Sequence, residues 1–268
     1  MIEFLRTVKG RAYPCVIGAL REPSWMLWDT FLPLLSLSAY VFVYRSLHAP
    51  REFEGFVILG GIMTAYWLNV LWGMASQFYW EKETGNLQYY IMAPASLESI
   101  LAGMALGGMF STTTRAIGIL LLGTWLFKVD MSVTNPYLLL LIFVICLAAM
   151  YAMGMMFSSL FLLWGREAWV TSSLFEEPIY FLSGQNFPVK ALGPYLSMAA
   201  SIIPLTLGLD AMRQLIFPSS IKFALMDPYL ELLFLSILTI VYLFLAKVFL
   251  RKMENIGKTK GTILTRWL

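Results

Sequence analysis

Charge is scarce in this 268-residue chain. Only 13% of residues are Asp, Glu, Lys or Arg, about half the roughly 25% of an ordinary soluble domain, and 59% are hydrophobic. A soluble helical bundle is therefore the weaker reading. Cysteine is scarcer still: Cys15 and Cys146 are too few for a disulfide framework or a Cys-rich metal site, and the single His48 cannot build a zinc centre. Both cysteines read as packing. The first 24 residues interleave Glu3, Arg6, Lys9, Arg11 and Arg21 with apolar residues, so no uninterrupted apolar core of a secretory signal is present and the chain is expected to stay whole. No internal repeat is evident, which removes the main argument for an inverted-repeat transporter. The apolar segments do not alternate as barrel strands would.

What is abundant is long apolar sequence, in several runs that reach the ~20 residues needed to cross a bilayer as a helix. The expectation is an all-α integral membrane protein with six transmembrane helices. They run from about Trp25 to Tyr44, Phe56 to Tyr79, Ser96 to Phe127, Tyr137 to Leu163, Trp169 to Ser183 and Tyr229 to Leu250. Trp25 and Trp28 would mark one interface of the first span, and Tyr40 and Tyr44 the other. Residues 1–24, with Leu5, Val8, Ala12, Val16 and Leu20 at helical spacing and Glu3, Gly10 and Arg11 mostly opposite, predict an amphipathic helix lying on the membrane surface. The fifth span is cut short at Ser183-Gly184. Pro194 and Pro204 then divide the following stretch into two pieces of about ten residues, too short to span. Residues 184–216 therefore predict a re-entrant helical hairpin enclosed by protein. Residues 251–268 are a basic tail suited to anionic lipid.

Lys and Arg cluster at both ends: Arg6, Lys9, Arg11 and Arg21 at one, and Lys247, Arg251, Lys252, Lys258, Lys260 and Arg266 at the other. The positive-inside rule then puts both termini in the cytoplasm and demands an even number of crossings. A polar island at residues 80–96 falls on the same side. There Gly85 and Pro94 leave room for one short helix, with an apolar edge at Leu87, Tyr90 and Ile91 while Asn86, Gln88 and the upstream glutamates stay wet. Such a helix invites a partner.

Two stretches carry a family resemblance. Glu81-Lys82-Glu83-Thr84-Gly85-Asn86-Leu87, followed by Ala93-Pro94-Ala95-Ser96, resembles the cytoplasmic coupling segment between the second and third spans of ABC type-2 permeases. Ser183-Gly184-Gln185-Asn186-Phe187-Pro188, with Ile203-Pro204-Leu205-Thr206 and Leu209-Asp210-Ala211-Met212-Arg213 behind it, is similar to the signature that follows the family's fifth span. Gln185 and Asn186 depart from the aliphatic or aromatic residues common there.

The resemblance implies the membrane subunit of an ATP-driven exporter, located in a prokaryotic plasma membrane and paired with a second permease chain and a cytoplasmic ATPase subunit. Glu81, Glu83, Thr84, Gly85, Leu87 and Tyr90 would form the ATPase-coupling surface; Gly184, Pro188, Pro204 and Arg213 would shape the outer hairpin. ATP and Mg would belong to the partner, and this chain would need no cofactor, metal or nucleic acid. The sequence agrees that the ATPase lies elsewhere, because Gly257-Lys258-Thr259 mimics the end of a phosphate-binding loop but Lys252 stands at its required first glycine.

Ionisable residues inside the spans cost about 2.5–3.5 kcal/mol each on insertion scales, so they need partners or water. Arg115 lies deep in the third span, and Glu176 and Glu177 lie in the fifth. They are candidates for a substrate path or gate, or equally for a structural ion pair in which at most one glutamate faces Arg115 squarely. The Gly103-Met104-Ala105-Leu106-Gly107 spacing permits a close helix contact, expected within one subunit. An ion-gradient-driven secondary transporter or channel using Arg115, Glu176 and Glu177 is the alternative function, and a membrane scaffold a third.

Overall fold

The computed structural model describes residues 2–163 and 168–260, which contain helices and turns and no strand. Proline sets much of the punctuation: Pro23, Pro136, Pro194, Pro204 and Pro228 each open a helix, where a missing N–H costs nothing and the fixed φ suits the first turn. Helix α1 covers Ile2–Arg21 and α2 Pro23–Ser46. Next come α3 at Glu52–Leu68, a π-helical stretch at Asn69–Ala75 and α4 at Gln77–Glu83, which together make one long span. A turn through Gly85, at φ +81°, leads to the short α5, Leu87–Met92. Ser96 caps α6, Leu97–Phe127, by accepting from the Ser99 amide at 3.2 Å, as its position before the third apolar run predicts. Then follow α7 at Pro136–Leu163, α8 at Ala168–Leu182, α9 at Pro194–Ala200, α10 at Pro204–Ile216 and α11 at Pro228–Lys260.

Among the described residues, five helical segments are long and apolar enough to cross a membrane: α2, the α3–α4 unit, α6, α7 and α11. The bent pair α9–α10 makes up to a sixth. The expected fifth span corresponds to α8, whose 15 described residues extend about 22 Å at 1.5 Å each, short of a ~30 Å hydrocarbon core. Helices α9 and α10 meet at 106°, which gives the broken geometry anticipated for 184–216. The basic tail after Leu250 begins as helix, since α11 continues to Lys260 and takes Gly257-Lys258-Thr259 with it; no phosphate-binding loop forms there. The sequence at 164–167, expected to close the fourth span, lies outside the described residues, as do residues 261–268.

Burial sorts the helices. In the α3–α4 unit 83% of the most apolar window is buried, against 17% in α2 and α11. The α3–α4 unit is therefore the central post, apolar all round because it meets protein all round, while α2 and α11 present most of their apolar surface outward. Helix α11 packs along α7, α10 fits between α7, α11 and α3, and α6 lies against α1, α2 and α3.

Helix α1 is fixed by glycines on α6. A Cβ at Gly103 would stand 2.7 Å from Arg11 Cβ, and one at Gly107 2.6 Å from Cys15 Cβ, so the two backbones approach as only glycine permits. The small-residue spacing thus serves packing within the chain. The inward stripe of α1 runs through Val8, Arg11, Ala12 and Cys15, while Leu5 and Leu20 are exposed. Arg11, expected on the outer side with Glu3, turns inward because a carboxylate waits for it there.

Candidate functional site

Three places hold the residues singled out from the sequence: a cavity in the middle of the bundle, the island at α4–α5, and the turn before the hairpin.

The middle cavity, of about 470 Å³, is bounded by α2, α3, α8 and the 185–187 turn, and Arg115 reaches its edge from α6. Arg115 Nη2 donates to the Ala65 carbonyl at 3.0 Å, and Nη1 contacts Asp29 Oδ2 of α2 at 3.4 Å. Its ion-pair partner is therefore Asp29 and not a glutamate of α8. Glu176 instead accepts from Trp72 Nε1 at 2.9 Å and from the Tyr180 hydroxyl at 3.0 Å. Trp72 makes this contact from within the π-helical stretch, a feature frequent at functional sites. Glu177 is exposed and lines the cavity that Arg115 also lines. The structure thus brings Arg115 and Glu177 to one cavity without pairing them, while Glu176 is not part of its wall.

Asp29 is the partner of Arg115 that sequence reasoning missed. It is the only carboxylate in Pro23–Ser46, and a lone acid inside a spanning run is itself a signal.

At the island, Glu81 is buried, against the expectation that it stays wet. It forms an ion pair with Arg11 and accepts from the Tyr90 hydroxyl at 3.2 Å. The Arg11 guanidinium also lies 5.6 Å from the Tyr90 ring centroid. Burial pushes the Tyr90 phenol up from its ordinary value, and Arg11 draws it partly back. Leu87 is buried as well, so the apolar edge of α5 faces the chain's own bundle. Glu83 is half-buried, Thr84 is exposed, and Gly85 makes the turn. The outward face of α5 carries Gln88, Tyr89 and Met92, the last two 62% and 71% exposed. The three/four spacing of Leu87, Tyr90 and Ile91 identified one face of α5 correctly as apolar; its partner is internal.

At the turn, Gly184 takes φ +63°, where a Cβ would run into Val189 and the Phe187 carbonyl. Pro188 precedes a short 3-10 turn, Val189–Leu192, and Pro204 opens α10. Arg213, 1% exposed, donates to the carbonyls of Gln185 at 2.7 Å, Phe187 at 3.1 Å and Phe56 at 3.3 Å, with its guanidinium 4.6 Å from the Phe56 ring centroid. Gly184 shapes the turn and Arg213 ties it to the beginning of α3 at Phe56, with Pro188 closing the turn. Pro204 stands apart, at the α9–α10 bend.

Compared with known proteins, the chain matches the family model described as ABC-2 type transporter over residues 15–217. A search of curated proteins gives no match. The matched range runs from α1 through the end of α10 and includes the cavity, the island and the turn.

Proposed function

The chain belongs to the ABC-2 type transporter family, as a multi-pass membrane permease rather than an ATP-binding subunit, and from that premise we propose that it is the membrane half of an ATP-driven exporter of amphiphilic compounds. The path runs through the cavity between α2, α3 and α8, with Arg115 and Glu177 on its wall. Alternating access there follows movement delivered at the α4–α5 island by a separate cytoplasmic ATPase. The complex contains a second permease chain, sits in a prokaryotic plasma membrane with both termini of this chain in the cytoplasm, and draws ATP and Mg through the partner alone.

One observation carries this reading. The island is continuous with the central α3–α4 post on one side and separated from α6 by only residues 93–96 on the other, while the Arg11–Glu81 pair clamps it to α1. A push on α5 therefore reaches the helix that lines the cavity and the helix that carries Arg115. The exposed Tyr89 and Met92, with Thr84 and the half-buried Glu83 beside them, offer a surface of the kind that protein partners dock on.

The test is co-purification with the ATP-binding subunit, followed by substrate-stimulated hydrolysis in liposomes. Glu83→Lys combined with Tyr89→Ala should leave the permease folded while lowering ATPase binding or stimulation about tenfold or more, the size of one lost interfacial anchor. Arg51→Glu, in the loop at the opposite end of the bundle, is the control. Unchanged assembly and unchanged stimulation in the double variant would remove the island from the coupling contact.

A further inference from the structure

We infer that the Arg115 cavity is built for an organic cation with an apolar body, and that Glu177 supplies the counter-charge. This rests on the reading of that cavity as the transport path and adds the chemistry of its passenger.

The first observation is that the cavity has a neighbour. A second space of about 270 Å³ lies between α1, α2 and α6, lined by Glu22, the residue just before α2, and by Met26 and Asp29 of α2. The larger cavity is lined by Pro33, Leu37 and Tyr40 of the same helix. These positions follow three/four spacing, so one stripe of α2 walls both spaces in succession. Arg115 lines both and is the residue at which they meet.

The second observation is the sign of the charge. Glu22 and Asp29 line the smaller space and Glu177 the larger, and among the described residues Arg115 is the one cation that lines either. Its near carboxylate is Asp29, and among the described residues no ion pair includes Glu176 or Glu177. The wall is thus acidic in excess. Over the two spaces together there are three carboxylates to one guanidinium; in the larger cavity Arg115 is already engaged by Asp29, Glu177 is left without an ion-pair partner among the described residues, and a cationic passenger supplies one.

The third observation is independent of the acids. Thr64 is only 9% exposed, and its Oγ1 has no hydrogen-bond partner; the buried Asn186 Oδ1 has none either. Both residues line the larger cavity. Native interiors seldom leave such atoms unmet, and because both oxygens are enclosed, a ligand in the cavity meets them through a rotation of the Thr64 and Asn186 side chains. Both oxygens can accept from an ammonium N–H. Tyr40, Tyr180, Phe181 and Phe187 supply aromatic surface in the same cavity, suited to a soft cation by cation–π attraction.

Tetraphenylphosphonium and tetraphenylborate, equal in shape and opposite in charge, separate the alternatives. Saturable binding of each to the purified full-length permease is measured by equilibrium dialysis without ATP, with variants compared in the same detergent so that micelle partitioning cancels. The phosphonium should bind saturably, about tenfold more weakly to Glu177→Gln, the loss of one favourable charge contact, and unchanged to Glu3→Gln on the exposed side of α1. Thr64→Val should weaken an alkylammonium probe and leave the phosphonium, which has no N–H, unaffected. Equal or tighter saturable binding of the borate, or an unaltered phosphonium Kd in Glu177→Gln, would overturn the assignment. If that variant fails to fold, the cation-against-anion comparison on the unmodified protein still decides. Phosphonium binding without ATP-driven movement would sink the transport reading and leave this one standing; export of an anion would do the reverse.

Discussion

Arg213 and Arg115 are both enclosed by the helix bundle, and they are held in opposite ways. Arg213 donates to three backbone carbonyls from two separate segments and lies over the Phe56 ring. Arg115 has one carbonyl and, at 3.4 Å, one carboxylate whose side chain is 43% exposed, with a cavity at its side. Backbone carbonyls cannot move away, so the first arrangement is a fixed tie between the turn at 184–188 and α3. A side-chain carboxylate on a helix that faces largely outward can move, so the second can be remade. The chain thus uses the same residue type once for architecture and once, in our reading, for transport.

The comparison breaks most easily at Arg213. Arg213→Ala strips three charge-assisted hydrogen bonds from buried carbonyls, and a loss of about 3–5 kcal/mol is expected, seen as a collapse in folded yield or a large fall in melting temperature. Arg213→Lys should recover less than half, because one ammonium cannot fork to three carbonyls. Near-normal stability of Arg213→Ala would remove the distinction between the two arginines.

Arg11 is the intermediate case. Its pair with Glu81 is partly screened, with side chains 24% and 10% exposed, so Arg11→Ala should cost about 1–2 kcal/mol. The loss should be local and show as faster amide exchange in α5 and the end of α4. Protection unchanged there would mean that α1 does not brace the island.

The smallest effect on stability is expected at Arg115 and Asp29. Asp29→Asn or Arg115→Gln should shift stability by about 1 kcal/mol or less, since the contact is long and its carboxylate is 43% exposed. The double variant should show a correspondingly small coupling energy in a thermal-stability cycle. Transport should nonetheless fall in both. A coupling of several kcal/mol would make this pair a structural tie like Arg213.

Much of this was legible before the structure. Spans whose two faces are alike announce themselves through apolar length alone, which is why α2, α6, α7 and α11 lie where the runs of Leu, Val, Phe and Met put them. The same uniformity hides rotation. A span apolar all round gives no periodicity to say which face meets which neighbour, so the Asp29–Arg115 contact, across 86 positions, could not be read from either helix. The α8 glutamates were ambiguous for a related reason: Glu177 does share a cavity with Arg115, but the Trp72 contact that occupies Glu176, made from a π-helical stretch, leaves no mark in composition. At the island, the Leu87/Tyr90 spacing revealed an amphipathic helix, and only the fold could tell that its apolar side was taken by the chain itself, with Arg11 drawn from seventy residues upstream.

The central claim is that compounds pass through the cavity between α2, α3 and α8, and Ser36 offers the most direct test. It lines the cavity from α2 and is exposed, so Ser36→Trp fills the space without disturbing Arg115, Glu177 or any buried contact. In liposomes holding the complex with its ATPase, the measurement is ATP-driven export of whichever compound most stimulates hydrolysis by the unmodified protein. The account predicts intact assembly and basal hydrolysis with export reduced about tenfold or more, as expected for a blocked, well-packed site. Export at the unmodified rate would contradict it and place the path elsewhere in the molecule.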